Sequence, residues 1–234
     1  MQRFSLAIFL TLFILPSIAL AASAWPCDSG TEIDAAGTGV SEPSGMVVYN
    51  EQLWVVSDEG TLWSMDFDGG NQASYSIGGD LEGLTVKDDL LYIGIENPDS
   101  VAEFDPITGA LTGESWDLTA YMTSTDNLGL EALAYAEDYF YAGLQEDGHV
   151  FVFELESGGI VTFISELTHP TGYTDISGLY YENGTFYVVN DGYDRISLLE
   201  VDDFTNPTTF IVLDDGTGAE ARYELTGNDQ EGIA

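Results

Sequence analysis

The feature that most constrains this chain is a short opening that recurs along it: an acidic residue or serine, then a small residue, then an apolar one. It stands at Ser44-Gly45-Met46, Glu82-Gly83-Leu84, Glu131-Ala132-Leu133, Ser177-Gly178-Leu179 and Glu231-Gly232-Ile233, at spacings of 38, 49, 46 and 54 residues. Repeats of this length are those of propeller blades with four strands each. Turn residues follow each full opening: Asn50-Glu51, Lys87-Asp88-Asp89, Glu137-Asp138 and Glu182-Asn183-Gly184. A second strand rich in apolar and aromatic residues comes next, at Leu53–Val56, Leu90–Ile95, Tyr139–Leu144 and Thr185–Val189. Thirteen residues after each small opening residue stands Asp58, Glu96, Gln145 or Asp191. Third strands then alternate their faces, as in Leu62-Trp63-Ser64-Met65 and Val150-Phe151-Val152-Phe153, which is the period of a half-buried strand. Turns such as Asp105-Pro106-Ile107-Thr108-Gly109 lead into a fourth, ending near Ile77, Leu118, Leu167 or Leu225.

The predicted fold is therefore all-β, a propeller of four-stranded blades over residues 44–234, with four full units and the start of a fifth. No stretch carries a competing helical period; a solenoid or a sandwich is the alternative reading. A ring that stopped after half of an innermost strand would leave an apolar edge unpaired. Two arrangements meet that difficulty: the chain is a fragment of a larger propeller, or residues 25–43 and the last strand close a small ring together. The first is the expectation.

Residues 1–24 have the character of a signal peptide. Arg3 gives a positive start, Leu6–Leu15 an apolar run too short to span a bilayer comfortably, and Ala19-Leu20-Ala21 or Ala22-Ser23-Ala24 a small-residue cleavage site. A secreted or periplasmic protein without membrane insertion after cleavage follows. Cys27 is the only cysteine, so in an exported chain it is either an inert thiol or one half of a pair.

Charge narrows the partners. Forty-one carboxylates face four basic residues, for a formal net charge of −37. Such a surface repels nucleic acid and anionic lipid. It is consistent with plain solubilisation or salt adaptation, and with cation binding. The expected partner is a small-molecule or protein ligand at the channel mouth, and the expected state is a monomer.

With its Ser-Gly and Glu-Gly openings and its acidic strand ends (Ser44-Gly45-Met46 through Asp58, Ser177-Gly178-Leu179 through Asp191), the chain resembles the SdiA-regulated propeller family. It is also similar to the phytase-like esterase and gluconolactonase-type propellers. The likeness covers residues 44–234, and its motifs are short. In several such propellers, the resemblance implies, carboxylates around the channel hold calcium or another divalent cation, which is catalytic in the gluconolactonase type.

Strand order gives these residues a place. Strands alternate in direction, so the start of the first and the end of the second lie at one end of the propeller, with the first strand innermost. Glu82, Glu131 and Glu231 should then ring the axis with Ser44 and Ser177, and Asp58, Glu96 and Asp191 should lie at the same end, farther out. Converging carboxylates repel unless a cation neutralises them or their proton affinity rises. Oxygen ligands of this kind suit calcium or magnesium. The bland readings are capping and blade bracing for the Glu-Gly openings, and turn formation for Asp58, Glu96 and Asp191. Asp66-Phe67-Asp68-Gly69-Gly70 is assigned to a hairpin turn rather than a calcium loop, and Asn183-Gly184-Thr185 to a hairpin rather than a glycosylation site.

His169, in an interblade loop at the same end, or a nearby carboxylate is the candidate general base; no nucleophile elbow, zinc-protease motif or phosphate loop is present. Scarcity of Lys and Arg disfavours phosphate-ester hydrolysis. Two functions remain: a calcium-stabilised binding or scaffold propeller, and a metal-dependent lactone or ester hydrolase.

Overall fold

A computed structural model describes residues 39–125 and 127–224. The signal-like segment, Cys27 and the fifth opening at Glu231 lie outside them. Four antiparallel sheets stand around one axis as a four-bladed propeller, the fold class the repeat predicts. Blade 1 contains β1 (Pro43–Tyr49), β2 (Gln52–Ser57), β3 (Thr61–Met65) and β4 (Ala73–Ser76). Blade 2 contains β5 (Asp80–Lys87), β6 (Leu90–Glu96), β7 (Ser100–Asp105) and β8 (Ala110–Asp117). Blade 3 contains β9 (Leu130–Ala136), β10 (Tyr139–Leu144), β11 (His149–Glu156) and β12 (Ile160–Thr168). Blade 4 contains β13 (Ile176–Glu182), β14 (Thr185–Asn190), β15 (Arg195–Val201), β16 (Phe210–Val212) and β17 (Arg222–Glu224). The sequence predicts one fourth strand in blade 4. Instead β16 and β17 pair with different halves of β15, at Leu199–Val201 and Arg195–Ser197.

The alternating strands bury their apolar faces between blades. Val56, Leu62, Leu91 and Phe104 fill the seam between blades 1 and 2. Val101, Trp116, Phe140 and Phe153 fill the next, and Tyr141, Val152, Phe186 and Leu199 the third. A smaller cluster of Val40, Val55 and Met65 covers the other side of blade 1. The innermost strands pack in sequence, β1 on β5, β5 on β9 and β9 on β13, whereas β13 and β1 meet over a much shorter stretch.

Each first hairpin closes with two residues of positive φ: Asn50 and Glu51, Asp88 and Asp89, Glu137 and Asp138, Asn183 and Gly184. That is the turn whose twist matches a right-handed strand pair, and Asn-Gly suits it best. Glu51 accepts its φ of 62° against its own preference. Glu51→Gly is therefore expected to raise stability by ~0.5 kcal/mol, seen as a higher urea midpoint at unchanged slope. The Asp66–Gly70 segment also turns as expected, with the Gly69 N–H donating to Asp66 O at 2.9 Å and the Gly70 N–H to Asp68 Oδ1 at 2.9 Å. No helix among the described residues is long and apolar enough to cross a membrane.

A candidate cation site at the channel mouth

Every innermost strand loses regular register at or beside its opening motif, between Pro43 and Met46, Leu81 and Leu84, Leu130 and Ala132, and Ile176 and Gly178. An irregularity of this kind re-aims a side chain out of the ladder. The openings meet at the axis, where Gly45, Glu82, Gly83, Glu131, Ala132 and Gly178 are among the residues lining a cavity of about 10 Å³. That is room for one water-sized occupant.

Two overlapping groups of carboxylates gather there. Glu82, Glu96 and Glu131 each offer an oxygen within 4.8 Å of the others, and Asp58, Asp80 and Glu82 do the same. Glu82 belongs to both, with 5% of its surface exposed, and Glu96 is fully enclosed at 0%. Ser44 Oγ donates to Asp58 Oδ1. Glu96 accepts the Gly129 N–H and, at 2.9 Å, an N–H of the Asn97 amide. Asp99, also buried, accepts the Leu130 N–H at 2.9 Å and so ties blade 2 to the start of β9. Oriented to donate, the Gln145 amide reaches Glu131 Oε1 at 3.2 Å.

The electrostatics follow from crowding. Burial, then the charge of Asp58, pushes the Glu82 carboxyl up to about 8, against the neighbouring Ser44 hydroxyl, which works the other way. Burial likewise raises Glu96, against the Gly129 N–H, and raises Asp80 with help from Asp58. The basic side chains among the described residues lie elsewhere. Lys87 sits over the rings of Tyr135 and Phe140, at 5.1 and 5.4 Å, while Arg195 and Arg222 pair with Glu224. The site is thus a set of hard oxygen donors with excess negative charge. Calcium or magnesium fits that donor set, and a soft metal does not.

Of the residues singled out in the sequence, Glu82, Glu96, Glu131 and Asp58 come together. Asp191 occupies the equivalent strand end in blade 4, but there it begins a 3-10 turn, Asp191–Tyr193, and joins neither group. Glu231 lies outside the described residues. His169 is 5% exposed, with Nδ1 facing the Thr171 hydroxyl at 2.7 Å and Nε2 without a partner. Burial pushes its basicity down to about 4, so it is neutral at ordinary pH. It belongs to neither carboxylate group. Asp80 and Asp99 were not legible as site residues, because neither belongs to the repeated opening or to its thirteenth position. A separate set joins Asp147 in the β10–β11 turn, His149 at the start of β11 and Glu166 on β12, where His149 pairs with both carboxylates.

No family model matches the chain, and no curated protein does. Among solved structures it is similar to the Myxococcus xanthus glutaminyl cyclase, with a TM-score of 0.54 and 15% identity over 72% of this chain and 69% of that one. It is also similar to Kuenenia stuttgartiensis hydrazine synthase, with a TM-score of 0.51 and 11% identity over 74% of this chain and 48% of that one. At such identities the likeness speaks to fold alone, and the fold it supports is the β-propeller.

Proposed function

We propose that this chain is an exported binding or scaffold propeller of the SdiA-regulated type, stabilised by calcium or another divalent cation at its channel mouth. One observation carries the reading. Glu82 is buried on the axis among Asp58, Asp80, Glu96 and Glu131, with no basic side chain in either group. An enclosed carboxylate cluster of this kind must take up protons or a cation to be stable. The cation choice follows from the oxygen donors, and the exported setting from residues 1–24. The mouth is where a small-molecule or protein ligand would dock on a monomer.

Thermal unfolding at pH 8 tests the cation. Calcium at about a hundred times its dissociation constant contributes ~2.7 kcal/mol, or roughly 5–10 °C for a chain of this size. Sodium chloride of matched ionic strength is the control, because a surface this acidic gains from any salt. An unchanged midpoint between calcium and chelator removes the cation from the account.

Lactone or ester hydrolysis is the second reading, favoured by one observation: a carboxyl that holds its proton near neutrality stands beside carboxylates able to ligate a metal. Metal-assisted hydrolysis draws on those two elements. A lactone and ester panel with calcium, manganese and zinc separates the readings. Turnover that survives Glu131→Gln would detach the activity from this site.

A further inference from the structure

At the thirteenth position after each opening, blades 1, 2 and 4 carry Asp58, Glu96 and Asp191, whereas blade 3 carries the neutral Gln145. We propose that Gln145 is a ligand of the mouth cation that works in two orientations. Its amide N–H groups hold the empty site together, and its amide oxygen, turned the other way, joins Glu131 and the Asn127 carbonyl around a bound calcium ion. This role rests on the cation reading above and adds two neutral ligands to the carboxylates.

The end of the Gln145 side chain lies 3.2 Å from Glu131 Oε1 and 3.2 Å from Asn127 O. Both of these neighbours are acceptors. With its nitrogen turned to them, the amide donates to each; with its oxygen turned to them, three oxygens converge with no proton between them. A cation makes the second arrangement favourable. Neighbouring oxygens in a calcium shell, each about 2.4 Å from the ion, lie roughly 3 Å apart, so the spacing already suits one.

The surroundings of the amide are held in place. The Gln145 main-chain N–H donates to Gly129 O at 2.9 Å, and its carbonyl accepts the Asp175 N–H at 3.1 Å. Next to the Asn127 carbonyl, the Leu128 carbonyl accepts the Glu146 N–H at 3.1 Å. The Asn127 side chain accepts an N–H of Asn97 at 3.1 Å, and Asn97 also donates to Glu96, which meets Glu131 in one carboxylate group. Rotation about the last side-chain bond, which is soft in glutamine, is then the one movement required. Glu131 and Gln145 are half-buried and Asn127 is exposed, so an ion reaches this side of the group from solvent.

The residue type follows from the two states. Another carboxylate would only accept, adding repulsion to the empty group; a lysine would only donate, excluding the ion. An amide does both. Calcium takes about six to eight oxygens, main-chain and amide carbonyls among them, whereas magnesium keeps several waters and takes one or two carboxylates. Neutral carbonyls beside crowded carboxylates thus favour calcium over magnesium.

The test uses the full chain at pH 8, with calcium, magnesium and europium as probes. Gln145→Leu removes the donors and the oxygen together. It is expected to weaken calcium binding about tenfold and magnesium binding much less. It should also add about one water to bound europium, read from the luminescence decay in water and in deuterium oxide. Gln145→Glu keeps an oxygen but loses the donors, so the two states should move in opposite directions. Its unfolding midpoint in chelator is expected to fall, while its calcium binding stays at least as tight as the native chain's. A glutamine that only braced the loops would weaken the protein in both states and leave the calcium-to-magnesium ratio as it was. Native calcium binding, with that ratio and the europium hydration unchanged in Gln145→Leu, overturns the role of Gln145 and leaves the cation site standing. Weaker calcium binding in Gln145→Glu does the same, and decides the matter even where Gln145→Leu does not fold. A native chain that binds no calcium overturns the cation reading, and this role with it.

Discussion

In chelator at pH 8, the Glu82→Gln variant is expected to unfold at a higher temperature than the native chain, while calcium is expected to raise only the native midpoint. Glu82 holds its proton up to about 8 in the folded protein, against an ordinary value of 4.5. A group whose proton affinity is raised by folding contributes stability below its unfolded value, and that contribution is lost as the pH climbs through the folded one. The window is therefore about pH 4.5 to 8, with stability falling as pH rises. For an isolated group this span is ~5 kcal/mol; protons shared with Asp80 and Glu96, whose carboxyls are also raised, make the actual loss smaller. Glutamine has nearly the same shape, carries no charge at any pH, and can donate to Asp58 or Glu96 where the carboxylate can only repel them. The variant should therefore show a flatter stability profile across this window. Calcium acts on the native chain in the opposite sense to alkali, because it favours the ionised cluster. A variant that is less stable than the native chain in chelator at pH 8, or that still responds fully to calcium, would mean Glu82 is a bracing residue.

The repeat was legible because propeller geometry repeats its constraints at the sequence level. Asn183-Gly184 announces its turn, and the openings fix where each innermost strand begins. Glu137-Asp138 does not announce the same turn. Its positive φ values come from the twist of the β9–β10 pair, which overrides local preference. The split of the last fourth strand was hidden for a similar reason. Asp202 accepts N–H groups from Thr208 and Thr209, at 2.9 and 3.1 Å, and this loop governs where β16 meets β15. At the channel mouth, alternation of strand direction sufficed to bring Asp58, Glu82, Glu96 and Glu131 to one end. It could not place Asp80, which approaches Asp58 and Glu82 beside the register break between Leu81 and Leu84. Nor could it show that Asp191 begins a 3-10 turn.

Gly83→Ala is expected to be among the most damaging single methyls that can be added to the described residues' inner ring, with a loss of ~3 kcal/mol in denaturant unfolding. Backbone freedom is not the issue at this position; distance is. A Cβ on Gly83 would lie 2.7 Å from Leu133 N and 2.7 Å from Leu133 Cβ, on the neighbouring innermost strand. Carbon atoms settle at about 3.5–4.0 Å, so one side must move by most of an ångström. Neither can do so cheaply. Gly83 is buried within β5, and Leu133 is 2% exposed in the seam of blades 2 and 3, packed with Tyr92, Trp116 and Phe140. Blade 3 carries Ala132 at the equivalent opening, so the seam it forms with β13 already accommodates a methyl there. The requirement for glycine thus belongs to the seams on either side of β5, where a Cβ on Gly45 would also lie 2.4 Å from Glu82 O, rather than to every copy of the motif. Opening the seam of blades 2 and 3 would also draw Glu131 away from Glu82 and Glu96, which it meets across the same two blades. The variant should consequently lose calcium response together with stability. A variant within 0.5 kcal/mol of the native chain would show that the inner strands slide past one another more freely than their close approach implies.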